Sequence, residues 1–158
     1  MSDYIVNLIK RLKIYFKGDE DSEDKIKHEM CVIEGLRDAG FSACQLRHLE
    51  SRRLPEIVEK DEHIKAAIYG KAELRGKAVI VATDKRVIYF DHTPFLDTLD
   101  EFNYNVISGI SYSTNGFSWS ITVRTRSGNR TLEGVKNNQA DKFINYIESV
   151  SIDQPLNI

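Results

Sequence analysis

The side chains best equipped for chemistry in this chain fall into small groups. His28-x-x-Cys31 and Cys44-x-x-x-His48 offer imidazole nitrogens and thiols, the ligand types of tetrahedral zinc. Both pairs lie in segments of helical periodicity that meet at Gly40-Phe41. If the helices fold back there, Cys31 stands about two and a half turns from the bend and Cys44 about one. His48 can then face Cys31, but His28 and Cys44 fall at opposite ends, so four ligands do not converge. The cysteines read as small apolar side chains in a helical pair, and no metal site is assigned. Lys71, Arg75 and Lys77 flank a short loop. Arginine presents a planar fork to phosphate and lysine a point charge, which makes the three a candidate anion- or lipid-binding set. Glu73 interrupts them, and solvated cations around a turn are the plainer reading. Arg124, Arg126 and Arg130 flank a second turn and read as charges on a wet face and loop.

Arg47, Arg52 and Arg53 follow Gly40 on the second helix, as in a helix-turn-helix reader of the DNA major groove. Glu34, Asp38 and Glu50 share the region, and a packed helical hairpin is the simpler account; nucleic acid is not an expected partner. Catalysis finds no support. There is no nucleophile elbow and no glycine-rich loop opening a helix. His63 and His92 read as loop or strand-end residues. No catalytic residue, cofactor or small-molecule substrate is assigned.

The chain has 158 residues, 41% hydrophobic and 29% charged, enough for one domain with an appendage. A net charge of -2 argues against global attraction to nucleic acid. No stretch has the length and uniform apolarity of a membrane span, and the N-terminal apolar run is broken by lysines and Arg11. Cytoplasm is the expected location, with peripheral membrane attachment as the alternative.

The elements that must position these groups follow from periodicity. Residues 4–17 predict a basic amphipathic helix with Ile5, Leu8, Ile9, Leu12 and Phe16 on one face. That face suits a protein partner, another part of the chain or an anionic membrane surface. Ser22 is the expected cap of a second helix that runs to about Ala39 and ends at Gly40. Ser42 and Gln45 form a capping box, with Phe41 and Leu46 as its hydrophobic staple, so a third helix starts near Ala43. It is expected to end before Pro55, which can open a further turn.

From Ile64 the period changes to two. Strands are expected over Ile64–Tyr69, Lys77–Ala82, Arg86–Asp91, Leu99–Tyr104, Val106–Tyr112, Phe117–Arg124 and Arg130–Val135. Lys71–Gly76 reads as a loop and Asn115-Gly116 as a hairpin turn. Lys77–Ala82 and Arg86–Asp91 are too apolar for an exposed surface and belong at the sheet's centre. A last helix carries Ala140, Phe143, Ile144, Ile147 and Val150, followed by a tail from Ser151. The chain thus divides into an N-terminal helical extension, 1–54, and a strand-rich domain, 55–158.

Seven short strands and a closing helix form the order of a pleckstrin-homology (PH) domain. Gly70, the run Lys77–Phe90 and Ile107-Ser-Gly-Ile110 make the likeness closer. They resemble the bacterial PH domains, in particular the group related to the YokE protein, over roughly residues 56–150. The resemblance implies an α+β fold, a PH-like seven-stranded antiparallel barrel or sandwich capped by the C-terminal helix. It implies an adaptor for lipid head groups, peptides or proteins rather than an enzyme, with oligomers among some bacterial members. Eukaryotic members that bind inositol phosphates carry basic residues on the first strand pair and its loop, where Lys71, Arg75 and Lys77 stand here, though in a denser pattern. The expected function is therefore a non-catalytic binding or scaffolding module for protein–protein contact, self-association included. The alternative is a peripheral membrane module using the Ile5–Phe16 face and the basic loop together.

Overall fold

Strands β1 (Ile64–Ala72), β2 (Gly76–Thr83) and β3 (Arg86–His92) carry apolar side chains on both faces, and both faces are covered. Ala66, Ile68, Ala78, Ile80, Ala82, Val87 and Tyr89 point into an inner core. Ala67, Tyr69, Val79, Val81, Ile88 and Phe90 point into an outer one. A strand wetted on one face alternates apolar with polar, whereas a strand covered twice reads as an unbroken apolar run. That is the origin of the two runs singled out in the sequence. The structure, a computed structural model, describes residues 20–73 and 76–152. The helix expected over 4–17 and Arg75 lie outside the described residues.

The sheet continues through β4 (Asp97–Asn103), a single 3-10 turn (Tyr104–Val106), β5 (Ile107–Thr114), β6 (Trp119–Thr125) and β7 (Gly128–Val135). Its order is β4-β3-β2-β1-β7-β6-β5, antiparallel at every junction. β4 and β5 end the order, and no ladder joins them, so the expected barrel is not closed by hydrogen bonds. The inner core is plugged by a C-terminal helix, numbered below, through Ala140, Phe143, Ile144 and Ile147. β1 pairs with β7 over only Lys71↔Glu133 and Ala72↔Leu132. Gly70 permits this close approach, because a Cβ there would sit 2.6 Å from the Glu133 carbonyl oxygen.

Three helices cover the outer face: α1 (Glu20–Asp38), α2 (Ala43–Arg47) and α3 (Leu49–Ile57). Val32, Leu36, Ala39, Phe41, Leu54 and Val58 bring apolar side chains to it. α1 ends at Gly40, whose φ of 102° is left-handed, and the Phe41 N–H returns to the Leu36 carbonyl. The capping box forms as expected, with Gln45 N–H donating to Ser42 Oγ and Ser42 N–H to Gln45 Oε1. Other boundaries move. α1 already includes Ser22, so the expected cap lies inside the helix. The break falls at extended His48 rather than at Pro55, which sits inside α3. Pro55 withholds an N–H only from the last turn, and His28 Nε2–H supplies a donor there, to the Pro55 and Val58 carbonyls at 3.0 and 2.8 Å. Lys71 and Ala72 are strand, not loop. Phe117 belongs to the turn, because Asn115 Oδ1 accepts from the N–H groups of Phe117 and Ser118. The last helix, α4, spans Asn137–Ile152 and takes in the first residues of the expected tail.

Candidate functional site

Two buried polar knots fix the layers that frame the open end of the sheet. β1 and β7 pair only at Lys71 and Ala72 and part on the Gly70 side of Lys71, where the Tyr69 N–H has no partner on β7. Gln139, fully buried on α4, accepts it at 3.1 Å. The same amide donates to the Gly40 carbonyl at 3.2 Å and to Gln45 Oε1 at 2.8 Å. One side chain thus ties α4, β1 and the α1–α2 corner together. The second knot is Glu62. Its carboxylate accepts from Thr83 Oγ1 at 2.6 Å, from Arg86 Nε and Nη2 at 3.0 Å, and from the Glu59 N–H at 3.0 Å. Arg86 Nη1 reaches Glu101 at 2.8 Å, extending the knot to β4. Beside it, the hydroxyls of Tyr104 and Tyr146 both donate to the Thr83 carbonyl. Burial raises the Tyr104 hydroxyl far above its ordinary range, with Tyr146 adding to the shift.

With the layers fixed, the ends of β1 and β3 and the starts of β4 and β7 surround a cavity of about 460 Å3. Ala72, Glu73, Tyr89, Asp91, Thr98, Asn129, Arg130 and Thr131 line it. Arg130 lies over the rings of Tyr89 and Phe102, 5.5 and 6.0 Å from their centroids, and pairs with Asp100 at 2.5 Å. Tyr89 donates to the buried Asp91 carboxylate at 2.8 Å. Among the described residues, the mouth therefore holds one guanidinium, already matched by a carboxylate, with Asp91 and Glu73 beside it. Arg130 is not the wet-face charge expected from sequence. The β6–β7 register pairs it with Val123, an inner-core residue, and so turns it inward.

Lys71 and Lys77 stand elsewhere. They are directly opposite in the β1–β2 ladder and share the parity of Tyr69 and Val79, which places them on the outer face, away from the cavity. Lys77 Nζ lies 5.8 Å from the Tyr69 ring centroid. Burial pushes the Tyr69 hydroxyl up to about 12, with Glu50 and Cys44 adding to the effect.

The remaining groups are spread. Cys44 Sγ and His48 Nε2 are 3.9 Å apart, but His28 is committed to α3 and Cys31 is exposed. Arg53 pairs with Glu56 and reaches Asp97 of β4, while Arg47 and Arg52 are exposed. His63 and His92 stand at strand ends, each against a carboxylate, Asp84 and Asp97.

Exposed apolar side chains gather around the β3–β4 hairpin, outside the cavity's lining, with Leu99 paired to the outer-core residue Phe90. Phe95 and Leu96, in the β3–β4 turn, are 98% and 57% exposed. Leu99 on β4 and Leu49 on α3 are also exposed. The Arg53–Asp97 contact, one helical turn from Leu49, sets α3 beside this hairpin.

A seven-stranded antiparallel sheet plugged by a C-terminal helix, with its turns around an open-ended cavity, defines a PH-like domain, a class of binding modules that is generally non-catalytic. The chain belongs to the bacterial PH domain family, whose model matches residues 58–149. Helices α1–α3 precede that match. Among solved structures the chain is similar to a DUF1696 family protein with a pleckstrin-homology domain from Shewanella loihica PV-4. The two are 18% identical, over 64% of this chain and 92% of that one, with a TM-score of 0.45. No curated protein matches. Among the described residues, no helix is long and apolar enough to cross a membrane.

Proposed function

We propose that this chain is a non-catalytic binding module whose partner is a protein, a second copy of itself in the first instance. The pairing of the cavity's charges and the exposed apolar surface around the β3–β4 hairpin carry this reading. A polyanionic head group needs several unpaired cations converging on one pocket. Here the cavity's arginine is neutralised by Asp100, with Asp91 and Glu73 beside it, and Lys71 and Lys77 face the other way. What the surface offers instead is Phe95 and Leu96 in the β3–β4 turn, with Leu99 and Leu49 near it, large side chains whose burial against a partner contributes about 1.5–3 kcal/mol each.

Static light scattering over a concentration series tests it. The full chain is expected to show a mass above the monomer. Phe95→Ser with Leu96→Ser, two exposed turn positions whose replacement leaves both cores intact, is expected to return it to the monomer. A wild-type chain that stays monomeric throughout, or an oligomer indifferent to both substitutions, would count against this surface.

A further inference from the structure

The sheet ends in two edges of opposite chemistry. β4 carries Asp97, Asp100 and Glu101, and Arg53, Arg130 and Arg86 engage them. Charges of this kind keep a strand edge from pairing with another chain. β5 carries no charge at all. It pairs with β6 on one side and, among the described residues, with no strand on the other.

The β5–β6 register sets which backbone groups that edge presents. The Asn115 N–H donates to the Ser118 carbonyl, so these two residues are a bonded pair. Bonded and non-bonded pairs alternate along an antiparallel ladder. Ile110, Tyr112 and Thr114, opposite Val123, Ile121 and Trp119, are therefore the non-bonded set, with N–H and C=O groups turned away from β6. Their side chains share the inner face with Ile121 and Val123. Ile110 packs on the inner core, and Tyr112 is half exposed beside the Trp119 ring.

α4 runs alongside this edge. At one end Trp119 Nε1–H donates to Asn137 Oδ1 at 2.9 Å, and at the other the Tyr104 and Tyr146 rings meet, 6.2 Å between centroids. Asn137, Asp141 and Glu148 recur at intervals of four and seven, on the helix flank that the Trp119 bond turns toward β6 and β5. The opposite flank is engaged, since Gln139 and Lys142 donate to the Gly40 and Asp38 carbonyls. Asp141 and Glu148 are exposed, and no cation of the described residues pairs with either. Arg124 lies against Gly109, on the other face of the sheet.

We propose that the β5 edge and the acidic flank of α4 form a docking groove for an extended basic peptide, which adds to the sheet as a further antiparallel strand. Ile110, Tyr112 and Thr114 pair with its backbone. Alternate side chains of an extended chain point to one face, so a lysine or arginine at every second position turns toward Asp141 and Glu148. The groove is separate from the Phe95–Leu96 turn and does not depend on self-association there.

Fluorescence anisotropy with the full chain and a labelled peptide of alternating lysine and valine tests this. Saturable binding is expected. Asp141→Lys with Glu148→Lys, at exposed positions outside both cores, is expected to weaken it about tenfold. Methylating the lysine backbone nitrogens, which face β5, is expected to abolish binding, and methylating the valine nitrogens, which face away, to preserve it. No saturable binding, indifference to the charge reversal, or binding that survives methylation at the lysines would each overturn the proposal. Hydrogen exchange read by NMR separates a peptide from a second copy of this chain. Without peptide, the amides of Ile110, Tyr112 and Thr114 are expected to exchange faster than those of Ser111 and Ser113, and to slow when it is added. If they are already protected and lose that protection on dilution, the edge belongs to a second copy and the proposal fails.

Discussion

Glu62 keeps no exposed side-chain surface, and its charge survives because Arg86, Thr83 and the Glu59 N–H surround it. Burial pushes the carboxyl up, but those hydrogen bonds outweigh it and hold the group below the usual range. The sign of the pH dependence follows. The unfolded chain takes up the proton more readily, so the stability Glu62 contributes is complete above the ordinary carboxylate range. It is lost as pH falls through the folded value. Glu62→Gln keeps the size and removes the charge, leaving Arg86 with Glu101 as its remaining carboxylate. A loss of about 2–3 kcal/mol is expected in urea unfolding at neutral pH. The variant's stability should also decline less steeply than the wild type's on acidification. Parallel acid slopes would mean that Glu62 titrates no differently in the two states.

Among the elements, the β1–β7 junction is the narrowest part of the sheet. Two residue pairs and the Gln139 amide hold it. Gly70→Ala puts a Cβ against the Glu133 backbone, which cannot swing aside as a side chain can. An overpacking cost of about 1–3 kcal/mol is expected, seen as a lowered urea midpoint, with faster hydrogen exchange at Ala72 and Leu132. An unchanged midpoint would show that the seam has slack.

How far the sequence discloses these elements depends on where their partners lie. The capping box at Ser42 and Gln45 is legible because both halves sit within one helical turn. The central strands are legible because double burial leaves unbroken apolar runs. Pro55 marks a boundary only by local rules; α3 runs two residues past it, and His28 from a distant helix caps the carbonyls at its end. Arg130 is opaque for a similar reason: its face is set by the β6–β7 register, and one residue of slip would reverse it. Gln139 carries no local signal, since its role exists only where two strands part far along the chain from it.

At the scale of the whole molecule, the helices ahead of the family match are part of the fold's energetics. Removing residues 1–57 would expose Val79, Val81, Ile88 and Phe90 on the outer face. At about 1.5–3 kcal/mol each, that loss is comparable to the roughly 5–15 kcal/mol that separates a folded domain from its unfolded chain. Residues 58–158 expressed alone are therefore expected to aggregate, or to unfold without a cooperative thermal transition. A soluble fragment with a sharp transition would show that the sheet stands without its outer layer.

The same view of the molecule separates Lys71 and Lys77 from its cavity, and flotation on lipid vesicles tests that separation most directly. The full chain, mixed at low salt with vesicles rich in anionic lipid, is predicted to remain in the dense fraction, as it does with neutral vesicles. Flotation that needs anionic lipid, fades with added salt and disappears in Lys71→Glu with Lys77→Glu would contradict the account and make the outer-face lysines a membrane site.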